Sequence, residues 1–141
     1  MQRRIFLALT LSLAACAQPV NYQTASGRPE RLFNAPPERV RAALATELVN
    51  RGYQIIRESE SVIEGQKTSD NVWANMLMGS QWDPTVKVRA TYTIIPSGSG
   101  TRVVGDLAIV GNAGTAFERV TPMSNSKASL DMQNALNAMQ V

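Results

Sequence analysis

The chain has 141 residues, with fourteen basic and eleven acidic side chains, one cysteine and no histidine. The missing histidine removes Ser-His triads, Cys-His dyads and imidazole metal sites, and the single cysteine removes any intrachain disulfide. A net charge of +3 offers no clustered basic face for nucleic acid, so the composition describes one packed domain without cofactor or metal.

Arg3 and Arg4 precede a mostly apolar run from Ile5 to Leu13, followed by Ala14, Ala15 and Cys16. Charge, short apolar core and small residues are the anatomy of a secretory signal, and the run is well short of the roughly 20 residues of a membrane-spanning helix. Leu13-Ala14-Ala15-Cys16 resembles the lipobox of bacterial lipoproteins. That resemblance implies cleavage between Ala15 and Cys16, diacylation of the Cys16 sulfur and acylation of the new amino terminus. Two acyl chains already suffice for stable anchoring. Alanine rather than aspartate at position 17 implies, by the same resemblance, the outer membrane with the domain facing the periplasm. Loss of Arg3 and Arg4 with the signal leaves twelve basic against eleven acidic side chains, too even for a polybasic membrane patch.

The expected organisation is a signal peptide over residues 1–15, a lipidated cysteine and flexible tether over 16–30, and one α+β domain over 31–141. Residues 17–28 are polar, with a lone Tyr22 and no apolar period. Arg31-Leu32-Phe33-Asn34 has the length of an edge strand. Ala35-Pro36-Pro37-Glu38 starts a helix over about 36–51: proline suits the first turn, and Glu38, near the third helical position, faces the positive end of the dipole and can reach back to the cap. Val40, Leu44 and Leu48 recur at helical spacing, Arg39, Arg41, Glu47 and Arg51 take the wetter face, and Gly52 marks the stop.

Tyr53–Glu58 and Val62–Lys67 read as a strand pair without clean alternation. The strongest strand runs from Val86 to Ile95, with Val86, Val88, Ala90, Tyr92 and Ile94 inward and Lys87, Arg89, Thr91 and Thr93 outward. Pro96–Gly100 turns the chain into a partner strand over Thr101–Val110. There Val103, Leu107 and Ile109 face inward, Arg102 and Asp106 outward, and Gly105 marks a bulge or a close backbone approach. Lys87 and Arg89 read as a solvated strand face, with phosphate binding the lesser alternative. Residues 111–123 look like loop. Ser124-Asn125-Ser126 caps a final helix over about 126–139, with Ala128, Met132, Ala135, Leu136 and Met139 on its apolar stripe.

Residues 68–84 stand apart. Trp73, Met76, Leu77, Met78 and Trp82 crowd a connection of the kind that normally runs over the surface. They make either a lid folded over the core or a contact surface for a partner or membrane. Asp70, Asp83 and Glu64 are the carboxylates nearest to catalytic candidates, but they are scattered, and Asp83 before Pro84 reads as a turn. No catalytic residue is expected.

Strand, helix, hairpin, long connection, hairpin and helix predict an α+β fold with an antiparallel sheet of four to five strands and both helices on one face. The order is similar to the helix-grip domains of the BamC-like lipoproteins. Ala35-Pro36-Pro37-Glu38-Arg39-Val40, Gly52-Tyr53 and the later strand pair carry that likeness, which covers about residues 31–139 and brings no functional residue with it. The expected function is a non-enzymatic interaction or scaffold module of the bacterial envelope, partnered with the membrane through its anchor and with an envelope protein. The alternative is a periplasmic domain holding a lipid or other apolar ligand between helices and sheet, the latter an inference from fold.

Overall fold

The computed structural model describes residues 22–69 and 86–141. Ala15, Cys16 and the Trp73–Trp82 cluster therefore lie outside the described residues, as do Asp70 and Asp83. The elements in chain order are β1 (Glu30–Phe33), α1 (Pro37–Asn50), β2 (Gln54–Glu58), β3 (Val62–Thr68), β4 (Lys87–Ser97), β5 (Gly100–Gly111), β6 (Arg119–Pro122) and α2 (Lys127–Ala138). Every pairing is antiparallel, in the order β1-β5-β4-β3-β2, with β6 also on β5. The fold is the expected α+β arrangement, with six strands.

The sixth strand lies in the stretch read as loop. Long β5 gives one edge wholly to β4 and divides the other, with β1 on residues 101–104 and β6 on residues 108–111. All four residues of β6 are exposed, so no buried face marks it as a strand. Pro122 ends it at an outer edge, where a missing N–H breaks no ladder.

One face of the sheet carries the core. Val40, Leu44 and Leu48 of α1 and Met132 and Leu136 of α2 meet Phe33, Ile63, Ala90, Tyr92, Ile94, Val103 and Leu107. The inward rows expected of β4 and of Val103 and Leu107 in β5 are those observed, while Ile109 is only half-buried. Gly105 resolves as a close approach: its register with Tyr92 is unbroken, and a Cβ there would meet the Met132 sulfur at 2.6 Å and the Tyr92 ring at 3.3 Å. The bulge lies instead at Ile56 of β2, between the pairs Ile55–Gly65 and Arg57–Glu64. That extra residue turns Ile56 outward, 47 % exposed, and accounts for the broken alternation.

Pro37 is the first residue of α1, which puts Glu38 second rather than third, and no side chain caps the helix. Reciprocal capping was not open to it, since the cap residue is Pro36 and a proline has no backbone N–H to donate. In α2 the expected cap forms: Ser126 Oγ accepts the Ser129 amide at 3.1 Å. The end of the expected tether is held against the domain. Tyr22 donates its hydroxyl to the Ser124 carbonyl at 2.7 Å, Arg28 pairs with Asp106 at 2.8 Å, and Pro29 is fully buried.

Candidate functional site

The site begins at the end of α1. Tyr53 N donates to Leu48 O at 2.9 Å and Gly52 N to Val49 O at 3.0 Å, with Gly52 at φ +80°. This pair of bonds is a Schellman motif, which needs a left-handed residue and brings together the side chains that flank the helix end, five residues apart. Here those side chains are Leu48 and Tyr53, with Arg51 between them. Gly65 of β3 lets this corner press onto the sheet: a Cβ there would lie 3.0 Å from Tyr53 Cβ and 3.1 Å from a Leu48 methyl.

Above the sheet α1 and α2 each pack chiefly on strands rather than on each other. The residues facing the gap are too small to fill it. Ala90 lies on the floor and Ala128 and Ala135 on the α2 wall, and a cleft of about 360 Å³ opens between them. Leu48, Val88, Leu107 and Met132 complete its apolar surface, while Arg51, Tyr53, Lys67, Tyr92 and Asp131 supply its polar atoms. Small-molecule sites are typically roughly 300–1,000 Å³ with mostly apolar walls and a few polar groups, and this cleft falls at the small end of that range.

The polar groups gather on the α1 bank. Lys67 Nζ stands 4.6 Å from the Tyr53 ring centroid and donates to Arg51 O at 3.3 Å. Arg51 gives its Nε to Glu47 Oε1. Its two terminal nitrogens have no protein partner among the described residues. Tyr92 is 3 % exposed, and burial pushes its phenol well above the usual tyrosine value; burial raises Tyr53 as well. Both are therefore neutral donors at physiological pH. The Tyr92 hydroxyl bonds to no other described residue. Tyr92 lines the cleft together with Arg51 and Tyr53.

The expected candidate residues are disposed differently. Glu64 accepts from Thr91 at 3.1 Å and lies 3.8 Å from Arg89, so it serves the sheet's outer face. Arg89 is not the solvated cation expected: its side chain is 19 % exposed, it holds Glu118 through both terminal nitrogens at 2.9 and 3.1 Å, and it contacts Gln66. Partners on the neighbouring strand β3 and the loop before β6 consume it, leaving no fork for a phosphate. Lys87 bonds to Thr68 at 3.0 Å. Sequence reading missed Arg51, Tyr53, Lys67, Tyr92 and Asp131 as a set. The available signal was Tyr92, a long side chain with a polar tip on an inward strand face opposite a glycine.

Among the described residues no three metal-ligating side chains come together, and no helix is long and apolar enough to cross a membrane. No known family model matches the chain, and no curated protein matches it either.

Proposed function

We propose that this protein is an envelope lipoprotein whose domain holds a small apolar or amphipathic molecule between its two helices and its sheet. The observation that carries this reading is the cleft itself, about 360 Å³ of largely apolar space between the end of α1, the α2 wall and the sheet. Apolar walls left open to water forgo about 25 cal/mol for each Å² that an occupant would cover. The acylated Cys16, processed after Ala15, would station the domain on the outer membrane, close to a supply of such molecules, and an envelope protein would exchange them with it. No chemistry is part of the proposal.

Native mass spectrometry of the purified protein tests it, alongside the variant Ala128→Trp, which fills the cleft from a half-buried helix position. A co-purified lipid or other apolar molecule at near one per chain, lost in the variant, is the expected result. An empty wild-type domain that crosslinks to an envelope protein in membranes would replace the carrier with a contact module.

A further inference from the structure

The polar atoms of the cleft are unequal in kind. Arg51 and Lys67 are cations, and Tyr53 and Tyr92 bring phenolic donors. Asp131, exposed on the opposite bank, is the one carboxylate. Glu47 occupies only the Nε of Arg51, and the Arg51 carbonyl occupies one of the three donors of Lys67. Tyr92 lines the same space, and its hydroxyl makes no hydrogen bond to another described residue. An occupant made only of hydrocarbon would leave these donors without acceptors in a site it had just dried.

Resting on the carrier reading above, we propose that the occupant is a single-chain amphiphile with an anionic oxygen head, seated with the head at Arg51, Lys67 and Tyr92. Its chain lies against Leu48, Ala90, Leu107 and Met132. The guanidinium's terminal fork suits two anionic oxygens, and Lys67 adds a second charge beside it. The volume suits one hydrocarbon chain rather than two. Carboxylate and phosphate heads share this chemistry, as a fatty acid and a phosphate-headed lysolipid would present it.

The test uses the full lipidated protein in phosphatidylcholine discs, loaded with the uncharged apolar fluorophore N-phenyl-naphthylamine and corrected against empty discs. Displacement by dodecanoate, dodecyl phosphate and dodecanol is then compared. One of the two anions should displace the probe at a concentration roughly tenfold below that of dodecanol, the worth of one hydrogen bond to a charged group. Which anion is stronger distinguishes fatty acid from lysolipid, and either supports the proposal. In Arg51→Gln/Lys67→Gln the anion preference should vanish while dodecanol displaces as before. Tyr92→Phe should weaken the better anion several-fold and leave dodecanol unchanged. Equal displacement by all three in the wild type, or a preference surviving in the double variant, would overturn the anionic head while leaving an apolar carrier standing. A probe that never binds, or binds equally to Ala128→Trp, would overturn both.

Discussion

Glu30 gives its carboxylate to Arg102 on the outer face of the sheet and its backbone groups to Gln133 at the sheet's edge. The two oxygens meet Arg102 Nε and Nη2 at 2.6 and 3.0 Å. Above all this fork, and then Ser26, holds the carboxyl at about 2 against the burial that would raise it. A carboxyl lowered on folding stabilises the native state above its unfolded value of about 4.3, and that stability is lost as pH falls towards the folded value. Urea midpoints measured from pH 2 to 7 should therefore separate wild type from Arg102→Gln most widely above about pH 5. The two curves should converge near pH 2. A gap independent of pH would mean that Arg102 acts by packing alone. Glu118 is lowered in the same direction by Arg89, so the wild-type acid limb belongs to more than one pair.

At the level of elements, α2 does more than cover the core. The edge strand β1 would present unpaired backbone groups outward, a liability that folded proteins manage explicitly. The Gln133 side chain supplies the missing pair: its Oε1 accepts the Glu30 amide at 2.7 Å and its Nε2 donates to the Glu30 carbonyl at 3.0 Å. Arg31 returns the contact by donating to the carbonyls of Leu136, Asn137 and Met139, where a cation favours the negative end of the helix. Gln133→Ala takes the partners from two part-buried backbone groups of β1 and should cost about 1 kcal/mol in urea unfolding. The exposed neighbour Asn134→Ala should stay within about 0.5 kcal/mol. Equal small effects would mean that water or relaxation replaces the clamp. Glutamine is ordinary on a wet face, and only the path of β1 beside it makes this one a backbone surrogate.

For the molecule as a whole, the proposal joins two features that lie far apart in the chain. The anchor rests on Cys16, and Cys16→Ser should abolish metabolic palmitate labelling and leave an uncut precursor. Labelling at wild-type level in that variant would remove the membrane from the account and leave the cleft to stand alone. The domain is held against Tyr22 and Arg28, so the chain available as a tether to Cys16 is shorter than composition implied. If Cys16 carries lipid as proposed, a shorter tether would keep the cleft nearer the headgroups, since reach grows only as the square root of length.

Periodicity alone determined α1, β4, β5 and α2, because a buried stripe at helical or strand spacing is written into consecutive residues. The order of hairpins and helices then carried the α+β class. β6 left no such mark, since both its faces are wet, and neither did the bulge at Ile56, which hides alternation. The cleft lay further still from the reach of sequence. It is a gap beside alanines of β4 and α2, ringed by Arg51, Lys67 and two tyrosines that look in one dimension like a helix end and two strands. Only the packing of α1 and α2 on the same sheet turns those separate residues into one donor-rich pocket, because a cavity is a relation between surfaces and no single segment contains it.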